Sequence, residues 1–141
     1  MPVEFSLARM IVLVVDDTAM MRANHKKILT NIGFNEGNIF FAQDGAAALA
    51  TLAGTIKIRG KVDLIVCDWD MPKVSGLEVL QMVKKVSLTK GIPFLMVTGH
   101  SKKEDILLAM KTGANSYMVK PFREEEYFEK VVDLLAQEFV R

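Results

Sequence analysis

Four apolar runs in this chain each end at a charged or hydroxyl-bearing residue. Arg9 to Val15 stops at Asp16 and Asp17, and Val62 to Cys67 stops at Asp68. Pro93 to Val97 stops at Thr98, and the later run Ser116 to Val119 stops at Lys120 and Pro121. Short continuous apolar runs bounded by turn signals read as strands buried on both faces, which calls for a parallel sheet covered by helices. Ligands of such sheets bind beyond the carboxyl ends of the strands. The pattern therefore gathers Asp16, Asp17, Asp68, Thr98 and Lys120 at one rim. Clustered carboxylates repel unless a cation or a proton relieves them. Acids, a hydroxyl and a lysine together suit a hard metal ion plus a phosphoryl group.

Helical patterns separate these runs, the alternation expected of repeated βα units. Ala19 to Ile32 places Met21, Ile28 and Ile32 on one stripe, and Gly33 closes the helix. His25 falls at the edge of that stripe and reads as a histidine flanking the core. Asn38 to Ala42 is a short strand. Asp44-Gly45 opens an alanine-rich helix through about Leu52, and Ala53 to Lys61 reads as an exposed loop. Ser75…Glu78 and Ser101…Glu104 both have capping-box spacing, so each predicts a helix start. The first of these helices turns Leu77, Leu80 and Val83 inward, the second Ile106, Leu107 and Met110. A last helix opens on Glu124-Glu125-Glu126, favourable at the positive end of its dipole, with Phe128, Val131, Val132, Leu135 and Phe139 inward. Met21, Met82 and Met110 fit core gap filling.

The 141 residues suit one domain. With 50% hydrophobic and 25% charged residues, the balance is that of a soluble globular protein. A net charge of +1 argues against nucleic acid as a partner, because such binding needs a concentrated basic face. No apolar stretch reaches the roughly 20 residues that span a bilayer, so no membrane insertion is expected. The single cysteine, Cys67, excludes an internal disulfide and points to a reducing, cytoplasmic setting.

Asp16-Asp17, Asp68-Trp-Asp-Met-Pro72, Thr98-Gly99 and Lys120-Pro-Phe122, in that order and at those intervals, resemble the receiver domain of two-component response regulators. The likeness runs from about Arg9 to Phe139 and is strongest to stand-alone, chemotaxis-type (CheY-like) receivers. It implies an α/β, flavodoxin-like (βα)5 three-layer sandwich with a parallel five-stranded sheet. The strand order 2-1-3-4-5 comes with the resemblance alone, being the order known for flavodoxin and for chemotaxis regulators of this kind. Residues 1–8 would be a short N-terminal tail and residues 9–141 a single receiver domain with no output domain.

The resemblance also implies roles. Asp68 would be the phosphoacceptor, taking its phosphoryl group from a phosphohistidine on a sensor histidine kinase (CheA-like). Mg²⁺ would be held by Asp17 and Asp68 directly, by Asp16 through water and by the backbone carbonyl of Asp70. Lys120 and Thr98 would contact the phosphoryl oxygens. Thr98 and Tyr117 would form the switch, and the Lys120–Pro121 bond would be cis. Asp70 and His100 stand where the family varies and tunes hydrolysis of the aspartyl phosphate. His100 itself reads equally as a cation near neutral pH and as a solvent-facing loop histidine. Trp69 is expected to be a partly exposed reporter beside the site, and Lys102, Lys103 and Lys111 to lie near the output surface.

The implied function is a phosphorylation-activated switch, a monomer that catalyses only its own phosphorylation and slow dephosphorylation. Chemotaxis, with a flagellar motor switch protein as target, is the first reading, and a phosphorelay intermediate is the alternative. Asp68-Trp-Asp70 also has the Asp-x-Asp spacing of metal-dependent phosphohydrolases. In the dehalogenase-like enzymes that pair follows the first strand and needs a late acidic motif, whereas here it follows the third, with Lys120-Pro121 late in the chain. A constitutive binding module is a further reading, opposed by the intact set of five site residues.

Overall fold

A computed structural model of the chain describes residues 6–140, with side chains described to residue 136. Five strands alternate with five helices. They are β1 (Val12–Val15), α1 (Ala19–Ile32), β2 (Ile39–Ala42), α2 (Gly45–Arg59), β3 (Leu64–Asp68), α3 (Gly76–Lys85), β4 (Phe94–Thr98), α4 (Lys103–Thr112), β5 (Ser116–Val119) and α5 (Glu124–Val140). The sheet is wholly parallel in the order β2-β1-β3-β4-β5, as the resemblance implied. Val12 aligns with Ile39 on one side and Leu64 on the other, Asp68 with Val97, and Thr98 with Val119.

Two cores follow from the two-residue period of the strands. Leu13, Val15, Ile65, Cys67, Phe94 and Met96 face α2, α3 and α4 through Leu52, Leu80, Val83 and Ala109. Val12, Val14, Leu64, Val66, Leu95 and Val97 face α1 and α5 through Ile28, Leu29, Val131 and Leu135. Burial on both faces is why the strands read as unbroken apolar runs.

The helices hold most of the departures from expectation. α2 continues to Arg59, so of the expected loop Ala53 to Lys61 only Gly60 and Lys61 lie outside the helix. Thr55 donates its hydroxyl to the Thr51 carbonyl, Ile56 packs on the core, and Gly60 ends the helix in the left-handed region. Gly54 stands within this helix, and a Cβ there meets nothing within 4 Å. Gly54→Ala should therefore raise stability by about 0.5–1 kcal/mol, the usual cost of an interior helix glycine. A urea midpoint equal to or below that of the parent would contradict this.

Ser75 and Glu78 form the expected capping box, whereas Ser101 and Glu104 do not. α4 is capped by Lys102, with no side-chain bond. The preceding loop is instead tied at His100, whose carbonyl accepts from the Tyr117 hydroxyl and whose Nδ1 meets Asp105. Of the residues expected inward on α4, Ile106 is partly buried, but Leu107 and Met110 are exposed, along with Leu108. Ala109 is the fully buried one and packs in the core cluster. Met110 is thus no core gap filler, while Met82 packs on the core as expected. α5 buries Val131 and Leu135 as expected, but Tyr127 and Leu134 complete its inward face in place of Phe128 and the half-buried Val132. Tyr127, Val131, Leu134 and Leu135 are buried and Phe128 is 42% exposed, whereas the side chain of Phe139 lies outside the described residues. On α1, His25 is fully buried beside Ile28 and Leu29, inside the core and not at its edge.

Candidate phosphoacceptor and metal site

Parallel strands in register end together, so β1, β3, β4 and β5 deliver Asp16-Asp17, Asp68, Thr98 and Lys120 to one edge of the sheet. Asp16, Asp17 and Asp68 each offer a carboxylate oxygen, all within 4.8 Å of one another. Asp16 and Asp68 are buried and Asp17 is half-buried. The donor set is all oxygen, which suits a small hard dication. Asp16 Oδ2 is buried and has no hydrogen-bond partner among the described residues, a state that a cation would relieve. The residues present therefore fit Mg²⁺.

Lys120 Nζ lies 3.1 Å from Asp68 Oδ1. Burial raises the Asp68 carboxyl above its ordinary value, the Lys120 ammonium opposes this, and the Asp16 carboxylate adds to it. Burial also acts to raise Asp16, but the His25 imidazole, the Thr18 N–H and the Lys120 ammonium together hold it below the usual carboxylate range. The Lys120–Pro121 peptide bond is cis. Arg22, which carried no expectation, donates from Nη1 to the Asp16 carbonyl at 2.8 Å and pins the turn into α1.

Asp70 does not join the acidic cluster through its carboxylate. Its Oδ2 accepts the Thr98 hydroxyl at 3.0 Å, and its Oδ1 lies 2.6 Å from His100 Nε2. The other ring nitrogen of His100 meets Asp105 Oδ2 at 3.2 Å. The imidazole also stacks on Trp69, with centroids 4.7 Å apart and planes within 2°. Trp69 is accordingly buried, against the expectation of partial exposure. Asp70, then Asp105, raises the His100 pKa, and desolvation opposes them. Burial acts to raise Asp70, while His100 and Thr98 outweigh it and lower it. Tyr117 is turned inward and donates its hydroxyl to the His100 carbonyl at 2.8 Å. Two loops and the start of α4 are thus tied to the threonine at the end of β4. Adjacency in sequence gave no sign of this tie, since Asp70 and His100 are 30 positions apart.

Among the described residues, no helix is long and apolar enough to cross a membrane. The response regulator receiver domain family matches residues 12–132. The chemotaxis protein CheY-3 of Vibrio cholerae is 38% identical over 120 residues, covering 85% of this chain and 87% of that protein. The chemotaxis protein CheY of Pseudomonas aeruginosa is also 38% identical, covering 85% of this chain and 91% of its own. The solved structure of Vibrio cholerae chemotaxis protein CheY4 superposes with a TM-score of 0.75 at 30% identity, over 89% of this chain and 98% of that one. With the acidic rim, the paired lysine and the 2-1-3-4-5 sheet, these likenesses show that the chain belongs to the response regulator receiver family.

Proposed function

We propose that this receiver takes a phosphoryl group onto Asp68 from a histidine kinase and that the modified state alters its affinity for a downstream partner. One observation carries the reading. The Asp68 carboxylate sits between the Lys120 ammonium at 3.1 Å and the oxygens of Asp16 and Asp17. An Asp68 oxygen forms the new P–O bond as the P–N bond of the phosphohistidine breaks, and the bonding pair leaves on the ring nitrogen. Lys120 offsets charge on the incoming phosphoryl oxygens, which is how such transfers gain most of their rate. Mg²⁺, held by Asp16, Asp17, Asp68 and the Asp70 carbonyl, would supply further charge neutralisation and alignment. Thr98, Tyr117 and the Asp70–His100 pair would then carry the change outward, Thr98 leaving Asp70 for the phosphoryl group. The output surface we infer is α4, where Leu107, Leu108 and Met110 are exposed beside Lys103 and Lys111.

The similarity to chemotaxis proteins favours a CheA-like kinase and a flagellar motor switch target. A place in a phosphorelay is the alternative. The phosphohydrolase reading loses support because the Asp70 carboxylate is engaged by Thr98 and His100.

Incubation with acetyl phosphate and Mg²⁺ should add about 80 Da, the mass of an ordinary side-chain phosphoryl group, on Asp68, and chelation of the metal should prevent it. No adduct, or one elsewhere, would sink the reading.

The same loop pair gives a pH signature. The raised His100 contributes stability in full below its ordinary value of about 6.5 and loses it as pH rises through the folded value. The lowered Asp70 contributes above its ordinary value of about 3.8 and loses that as pH falls. Asp70→Asn should therefore cost most between about pH 4 and 6.5, by no more than about 1 kcal/mol for so exposed a pair. The cost should shrink above that window, and the decay rate of the phosphorylated form should change a few-fold. A melting-temperature difference independent of pH would refute the pairing.

A further inference from the structure

The Asp16 carboxylate is gripped on one side only. Its Oδ1 accepts from the Thr18 amide at 3.0 Å and the Thr18 hydroxyl at 3.3 Å. Its Oδ2 faces the Nε2 of His25, 3.8 Å away. That distance is too long for a hydrogen bond and leaves a charge–dipole contact. The opposite nitrogen of the ring, Nδ1, lies 2.7 Å from the hydroxyl of Tyr127. His25 is 1% exposed and Tyr127 0%, and both stand in the core between α1 and α5 with Phe122 packed beside them.

The tautomer follows from these contacts. The Tyr127 hydroxyl has no other partner among the described residues, so its proton goes to Nδ1. Burial, reinforced by the Asp16 carboxylate, pushes the Tyr127 hydroxyl far up, which keeps it a donor. With Nδ1 accepting, Nε2 carries the hydrogen and directs it at Asp16. The reverse tautomer would point a lone pair at a carboxylate oxygen. A buried imidazole and phenol in an otherwise apolar interface are unfavourable unless each finds a partner, and a leucine would fill the same place without that demand.

We propose that His25 is a positioning residue for the Asp16 carboxylate in the Mg²⁺ site, with Tyr127 fixing its tautomer. The inference rests on the proposed metal-dependent phosphoacceptor site. Partners behind a ligand set its orientation, and their loss typically weakens metal binding about 10–100-fold. The contact here is long, so the lower end applies. The triad also links the α1–α5 interface to the metal site, so packing changes there would alter Mg²⁺ affinity.

The experiment compares Mg²⁺ affinity, by calorimetric titration and by Trp69 fluorescence, with thermal stability in metal-free buffer. His25→Leu should weaken Mg²⁺ about tenfold. Because it leaves the buried Tyr127 hydroxyl unpaired, stability is read in the His25→Leu/Tyr127→Phe double variant, which should show the same affinity loss and melt no lower than the parent. His25→Gln keeps an N–H donor and should recover most of the affinity, and Tyr127→Phe should show a smaller loss in the same direction. The phosphorylation rate of His25→Leu should return to the parent's at saturating Mg²⁺. A purely structural histidine would leave Mg²⁺ affinity unchanged in these variants however their stability moved, and that result overturns the proposal. Should His25→Leu fail to fold, Tyr127→Phe decides, and unchanged Mg²⁺ affinity in that variant overturns it. If the parent protein takes up a phosphoryl group with Mg²⁺ but both variants bind the metal as it does, only this inference falls. If the parent binds no Mg²⁺, the underlying site assignment falls with it.

Discussion

Replacing Lys120 by Met should slow phosphoryl uptake from acetyl phosphate about 100-fold, as expected for loss of one preorganised charge at a reacting centre, and should at the same time tighten Mg²⁺ binding. The two effects oppose because Lys120 has two relationships with Asp68. In the unmodified protein its ammonium lies 3.1 Å from Asp68 Oδ1 and shares that carboxylate with any dication bound by Asp16, Asp17 and Asp68. Removing it takes a like charge away from the metal and raises the negative potential of the cluster. During transfer, the phosphoryl oxygens bring charge to the place where the ammonium stands, and no other basic side chain among the described residues pairs with Asp68. The loss therefore falls on the transition state and not on metal binding. Stopped-flow fluorescence of Trp69 at saturating Mg²⁺ separates the two. Weaker Mg²⁺ binding in Lys120→Met would show that the lysine organises the acidic cluster instead of competing with it, and a rate within about threefold of the parent's, far short of the loss expected for such a charge, would remove Lys120 from the reaction.

Most of this site is legible in the sequence because it depends on strand ends. A buried parallel strand announces itself as an apolar run, and whatever follows it lies at the carboxyl edge. Asp16, Asp17, Asp68, Thr98 and Lys120 needed no more than that to be brought together. Helix faces were less legible. On α4 and α5 large apolar residues stand side by side, Leu107 with Leu108 and Tyr127 with Phe128, and either phase of the 3.6-residue period satisfies the pattern. Tyr127 is chosen because its hydroxyl has His25 to bond, whereas on α4 neither leucine is buried and Ala109 is. Contacts between segments distant in the chain left no trace in spacing. The Asp70–His100 pair and the His25–Tyr127 pair depend on side-chain directions that only the assembled fold specifies.

Gly76 shows the same limit in a form that is simple to test. In sequence it is only the residue after the capping Ser75, where alanine would be the better helix former. In the fold it lies against the end of β3. A Cβ built there would run into the Asp68 carbonyl oxygen, and it would stand 2.7 Å from Trp69 Cα and 2.8 Å from the Asp68 carbonyl carbon. All three are backbone atoms, so no side chain can rotate away. Nor is the strand free to yield, since Asp68 aligns with Val97 of β4 and the Trp69 amide donates to the Val97 carbonyl at 2.9 Å. The start of α3 must retreat instead, breaking the Gly76 amide bond to the Trp69 carbonyl and straining the Ser75–Glu78 box. Gly76→Ala should therefore destabilise by about 3 kcal/mol, the upper end for overpacking, although helix propensity alone would stabilise it by up to about 1 kcal/mol. Because the displaced backbone carries Asp68, phosphoryl uptake should fall even at temperatures where the variant is fully folded. Urea unfolding gives the sign directly, and a variant as stable as the parent would mean that β3 and α3 do not approach as closely as the structure has them.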